Sequence, residues 1–383
     1  PALDRALAKE SDVRVRRVMA QAHAAAVLSS PGSSEPERLA AVATIRARGD
    51  LEASSLLASL TSQPAAVAEA AHAGVVAIQR VLRLWDILEG VFYGLSLGSV
   101  LLLAAAGLAI TFGVMGVINM AHGEMVMIGA YVTFVVQQTI QANAPWLFGG
   151  SLLIAVPLAF LIAGAIGIAI ERSLIRFLYG RPLETLLATW GLSLVLQQAV
   201  RSIFGPTNRA VSTPDWMSGA DMLGGLTITY NRLAIIIFTF LVFAGLMALL
   251  RLTPLGLRMR AVTQNRRMAA SMGIRTPWID ALTFGLGSGI AGMAGVALSQ
   301  IDNVSPNLGQ GYIVDSFLVV VFGGVGNLWG TAVGALTLGI VNKFLEPVAG
   351  AVLGKIAILV LLILFIQKRP RGLFALKGRA VEA

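Results

Sequence analysis

Two hydropathy patterns divide the chain. Residues 1–83 are polar and alanine-rich, and from about Trp85 onward apolar runs dominate. Many of these runs approach the length of about 20 residues that a helix needs to cross bilayer hydrocarbon. They are Ile87–Phe112, Met120–Gln141, Phe148–Ile170, Leu183–Phe204, Leu233–Leu250, Ile279–Ser299, Ile313–Val325, Trp329–Phe344 and Val352–Ile366. This pattern predicts an all-α fold, a polytopic transmembrane helical bundle of about nine spans. The seventh run is short and glycine-rich and reads as a broken or re-entrant element.

The polar region carries helix punctuation. One helix is predicted over Leu3–Val27. Ser34 with Glu37 forms a capping-box signal for a second helix, which Arg48-Gly49-Asp50 ends. Leu51–Leu60 is a third, and Pro64 opens a fourth that runs to about Arg83. The spacing is like that of a HEAT-type helical pair; a plain alanine-rich helical hairpin is the alternative. The expected organisation is therefore a small helical N-terminal extension, 1–83, and a transmembrane domain, 84–383.

Composition fits a membrane solvent. The 383 residues are 56% hydrophobic and only 13% charged, with a mean hydropathy of +0.78; a soluble domain is about one-quarter charged. There is no cysteine, which excludes disulfides, thiolate metal sites and cysteine catalysis. The only histidines, His23, His72 and His122, have no metal-site spacing, and no cofactor is expected.

The net charge of +9 changes the picture through its placement. Basic residues cluster between apolar runs, which points to membrane topology rather than nucleic acid. Arg172, Arg176 and Arg181 form one cluster. Arg251, Arg258, Arg260, Arg266, Arg267 and Arg275 form a second, in the loop 251–277. Lys368, Arg369, Arg371, Lys377 and Arg379 form a third. All three are expected in the cytoplasm, together with the C-terminus. An odd number of crossings then places the N-terminal region outside. No cleavable signal is visible at Pro1, and the numbering is compatible with one having been removed.

No enzyme signature stands out. HExxH, GxSxG and nucleotide-loop patterns are absent, and Gly350–Lys355 has one residue too few between its glycines for a phosphate loop. Any ATP used must be bound by another chain. Polar residues next to apolar runs are costly and flag function. They group as Asn119, His122 and Glu124; as Asp302, Asn303, Asn307, Gln310 and Asp315; and as Asn327 in a glycine-rich break. We take Asn119, His122, Glu124, Asn303, Gln310, Asp315 and Asn327 as substrate-pathway candidates, with helix capping at the membrane surface as the alternative.

The basic loop differs in kind. A helical reading puts Ala261, Gln264, Met268 and Met272 near one face. Such a short amphipathic helix either lies on lipid headgroups or plugs a groove on another protein. Its small, methionine-rich face favours the groove.

At these residues the chain resembles a known family. Gly94–Ser99, Gly116–Glu124 and Met127–Tyr131 are similar to segments of the permeases of branched-chain amino acid ATP-binding-cassette importers. Within that family, Asn303–Tyr312, Val321–Gly330 and Gln367–Arg379 resemble the urea permeases. The resemblance implies a transport subunit of a bacterial inner-membrane importer rather than an enzyme. Its partners would be separate ATPase subunits, a second homologous permease and a periplasmic urea-binding protein. Gln264, Asn265, Met268, Ala269, Met272, Gly273 and Ile274 would form the segment that couples to the ATPase. Alternative functions are import of branched-chain amino acids or short amides, a passive urea channel, and a membrane scaffold. A path for urea favours amide and hydroxyl partners, whereas an amino acid zwitterion favours a charged or dipolar pair of anchors.

Overall fold

The computed structural model describes residues 7, 10–30, 32–60, 64–223 and 225–374. The start of the predicted helix Leu3–Val27, and the basic Lys377 and Arg379, lie outside the described residues.

Four helical segments build the N-terminal unit. They are α1 (Val13–Ser29), α2 (Glu35–Arg46), α3 (Leu51–Ala58) and the beginning of α4 (Ala65–Met115). Asp12 caps α1 through its carboxylate, and the capping box of α2 is present, with the Ser34 N–H donating to Glu37 at 2.8 Å. That hydrogen bond holds the Glu37 carboxyl below its ordinary range. Gly49, at φ +73°, makes the turn between α2 and α3 in a conformation that glycine tolerates best. Leu28, Val42, Ile45, Leu57, Val67 and Ile78 are among the residues of one shared core. The predicted end of the fourth helix near Arg83 is not observed, because α4 continues to Met115. Neither proline nor glycine lies between Gly74 and Gly90 to stop it.

The second unit begins at Gly90. After α4 come α5 (His122–Asn143), α6 (Ser151–Ser173), α7 (Pro182–Phe204), α8 (Tyr230–Leu252), α9 (Pro254–Gln264), α10 (Arg266–Ser271), α11 (Thr276–Leu298), α12 (Leu308–Gly323) and α13 (Leu328–Lys368). A two-stranded hairpin, β1 (Ala220–Leu223) and β2 (Leu226–Thr229), precedes α8.

The fold is the expected all-α polytopic bundle. All nine predicted apolar segments fall on helices. Among the described residues, six helices are long and apolar enough to cross a membrane. The difference has three causes. Polar residues lower the hydropathy of α7. At 16 residues, α12 spans only about 24 Å, short of the roughly 30 Å of hydrocarbon. Two predicted segments share α13, which is interrupted at Gly350 (φ +78°) just after Pro347.

Backbone proximity holds the bundle together, with α11 at its centre. A Cβ on Gly129 would lie 1.9 Å from the Gly292 carbonyl oxygen, and one on Gly295 would lie 2.0 Å from that of Val126. Gly285 and Gly289 meet α6 at Ile168 and Phe160, and Gly94 and Gly98 meet α13. In lipid, where burial of apolar side chains gains little, such approach is what lets helices associate.

Candidate functional site

Polar groups occupy three places in the second unit. The first is a seam between α5 and α7. Thr185, Thr189, Ser193 and Gln197 recur every fourth residue and are all buried, which aligns them on one face of α7. Ser193 Oγ and Gln197 Nε2 each donate to Glu124 Oε1 at 2.8 Å, and the Met120 N–H donates to Thr189 Oγ1 at 3.1 Å. The second Glu124 oxygen has no hydrogen-bond partner among the described residues. Asn119 accepts from the Ala121 N–H at 3.0 Å in the turn before α5, whose N-cap is Ala121. His122 pairs through Nε2 with the Ala104 carbonyl oxygen at 2.9 Å. The sequence reading missed the α7 stripe, although its four-residue period is written in the chain.

The second place is the corner made by α9, α10 and the start of α11. The single amphipathic helix expected here is two helices. Asn265 breaks it at φ −154° and ψ 101°, and its side chain caps α10 by accepting from the Met268 N–H at 2.9 Å. A short polar side chain at this position satisfies the backbone better outside a helix than within one. Met268 and Met272 are 60% and 78% exposed, whereas Ala269 is buried against the bundle. Gln264, Asn265 and Gly273 are exposed, and Ile274 is half-buried.

This corner is fastened from below. Arg266 makes a forked hydrogen bond to both carboxylate oxygens of Asp280, which is fully buried. The guanidinium lies 4.8 Å from the centre of the Tyr179 ring. Tyr179 in turn donates to Glu171 Oε1 at 3.0 Å. Burial, with the charges of Asp280 and Glu171, pushes the Tyr179 phenol up, so it stays protonated and keeps donating. Arg172 stacks over Trp278 at 4.3 Å. A six-residue helix is too short to persist alone; these contacts give α10 a fixed seat. Beside α9, a cavity of about 410 Å³ is lined by Val114, Met247, Arg251, Arg260, Gln264 and Asn327. Asn327 caps α13, accepting from the Trp329 and Gly330 N–H groups at 3.1 Å.

The third place lies at the opposite end of α8, about 28 Å from Arg251 by helical rise. Arg232, Asp302, Asp315, Lys343, Glu346 and Lys355 converge on a cavity of about 240 Å³. Lys355 pairs with Asp315 at 3.1 Å and Lys343 with Glu346 at 2.7 Å. Of the pathway candidates, only Asp315 lines this cavity. Asn303 and Gln310 are exposed and do not line it. Asn307 accepts from Arg201 Nη2 at 2.5 Å, which ties α7 to the start of α12. No group of residues that could hold a metal ion occurs among the described residues.

The family model described as branched-chain amino acid transport system / permease component matches residues 90–366. The permease protein BraD of Pseudomonas aeruginosa, named for high-affinity branched-chain amino acid transport, is 31% identical over 295 residues, covering 76% of this chain and 96% of its own. LivH of Escherichia coli K12, named for the same transport, is 33% identical over 295 residues, covering 75% and 94%. LivH of Methanocaldococcus jannaschii, named as a probable permease of that kind, is 25% identical over 311 residues, covering 75% and 91%. No solved structure matches the chain.

Proposed function

This chain belongs to the family of branched-chain amino acid transport permease components, and on that premise we propose that it is one permease subunit of an ATP-driven importer for urea. It works in a bacterial inner membrane, with the N-terminal unit on the periplasmic side and the C-terminus in the cytoplasm. ATP is hydrolysed by separate subunits. A second, related permease completes the path, and a periplasmic urea-binding protein delivers the solute.

The seated α10 carries this reading. Met268 within it and Met272 at its C-cap offer an adaptable, exposed apolar surface for a groove on another protein. The forked pair to Asp280 joins that surface directly to α11. A push at Met268 and Met272 thereby reaches the helix on which the bundle is packed. A passive channel requires no such device. The exposed arginines of the loop, Arg258 and Arg267 among them, suit a cytoplasmic position.

Urea as the solute rests on the segments Asn303–Tyr312 and Val321–Gly330, which resemble urea permeases. A second reading, import of branched-chain amino acids, is favoured by the names of BraD and LivH. Reconstitution of the co-purified complex in proteoliposomes separates them. ATP-driven uptake of urea is expected. ATP-driven leucine uptake without urea uptake transfers the assignment to the second reading, and urea uptake that ignores ATP overturns the importer.

A further inference from the structure

The geometry points to the charged cavity beside the Gly350 break as a solute site, taking a molecule neutral overall that presents a carbonyl-type oxygen next to N–H donors. This rests on reading the chain as an importer permease and names where that path first meets its cargo. The cavity lies at the end of the bundle away from α10, the side from which an imported solute enters.

Its charges are balanced but unequally engaged. Three cations face three carboxylates around about 240 Å³. Two of each are joined in the ion pairs Lys355–Asp315 and Lys343–Glu346. Asp302 has no cation within 4.0 Å among the described residues; one oxygen accepts from the Asn303 N–H at 2.8 Å and the other from the Tyr312 hydroxyl at 3.4 Å. Arg232 has no carboxylate within 4.0 Å among the described residues; its guanidinium lies 4.5 Å from the centre of the Tyr93 ring. A half-buried guanidinium without a counter-ion has free N–H donors in fixed directions. Asn342 adds an amide to the same wall.

A net-charged solute would upset the balance of three against three at a desolvation cost. A neutral one with both polarities completes it. Its oxygen accepts from Arg232, and its N–H groups donate to Asp302. Urea and an amino acid zwitterion share this chemistry, and they differ in size and in the strength of the oxygen as an acceptor.

The backbone supports the same location. The wall includes the short α12 and both halves of α13, the two elements that depart from a regular span. Interrupted helices beside polar cavities are where transporters place their solutes. Backbone freed at Gly350 is tolerable at membrane depth only where it faces protein or water.

The absence of cysteine gives a direct test. Asn342→Cys puts one thiol into this chain within the intact complex. Its modification by a small polar methanethiosulfonate is followed by mass spectrometry, with and without urea or leucine. We expect one of the two solutes to slow labelling at least about threefold, and the protecting solute identifies the cargo class. Adding Arg232→Gln should abolish protection while leaving the solute-free labelling rate within about twofold. Gln264→Cys, at the other end, should label equally with and without solute. Equal labelling of Asn342→Cys in every condition overturns the site, as does protection that survives Arg232→Gln. If Arg232→Gln fails to assemble, Arg232→Lys replaces it, with protection weakened rather than lost, and unchanged protection counts against the site. ATP-driven uptake by the unsubstituted complex is scored separately. Uptake without protection removes only this site, and protection without ATP-driven uptake removes only the importer reading.

Discussion

The two ends of the transmembrane unit use the same residue types to opposite effect. At the α10 end, Asp280 is fully buried and held by a forked arginine, and the neighbouring Glu171 is buried against Tyr179. At the other end, the Asp315 and Lys355 side chains are 18% and 50% exposed around a cavity. A geometrically matched pair whose carboxylate is fully buried is costly to break, because the survivor is left charged and unpartnered. A wet pair is screened and contributes little. The first arrangement suits transmission of force; the second suits exchange of partners with a solute.

Four variants probe this contrast, beginning with the scaffold common to both ends. Gly129→Leu should abolish recovery of monodisperse protein by size-exclusion chromatography in detergent, since even a Cβ would meet the Gly292 carbonyl at 1.9 Å. Recovery at the parent level would mean that the ends are not held by backbone packing. Asp280→Ala should lower stability by about 3 kcal/mol, the low end for a broken buried pair because Arg266 is 42% exposed. In proteoliposomes it should also lower the solute imported per ATP. Thermal unfolding within error of the parent would erase the distinction. Lys355→Met should change stability by less than about 1 kcal/mol, as an exposed partner predicts; a loss matching that of Asp280→Ala would show the second end to be as closed as the first. Met268→Glu with Met272→Glu should leave stability within about 0.5 kcal/mol, because both side chains face outward, yet abolish co-purification with ATP-binding subunits. Retained co-purification would dismiss α10 as the docking surface. Ala269→Glu is the wrong probe for docking, since Ala269 is buried.

Much of the scaffold was legible from local rules. The Ser34–Glu37 box, the turn at Gly49 and the apolar runs each depend on residues close in sequence. Local rules also explain the errors. The reading stopped α4 at Arg83 because polarity changes there, but polarity does not end a helix without a breaker or cap. It carried one helix through Asn265 because a hydrophobic stripe outlasts the residue that caps its successor. The α7 stripe at 185, 189, 193 and 197 was readable but hidden by the apolar residues between its members. The charged cavity was beyond such rules. Tyr93, Arg232, Asp302, Asp315 and Lys355 come from five separate segments, and only folding brings them together. Asp315 was singled out for being polar in an apolar run, without any sign of its partner.

The glycine contacts along α11 have a kinetic consequence. Where carbonyl and α-carbon touch directly, as at Gly129–Gly292 and Val126–Gly295, no rotamer can yield to let one helix slide. The α5, α6 and α11 cluster must then move as a solid, and its amides should exchange with deuterium together and slowly. The amides around Gly350, in the interrupted α13, should exchange early and independently. A two-speed exchange pattern of that kind would separate the part of the permease that bears load from the part that flexes.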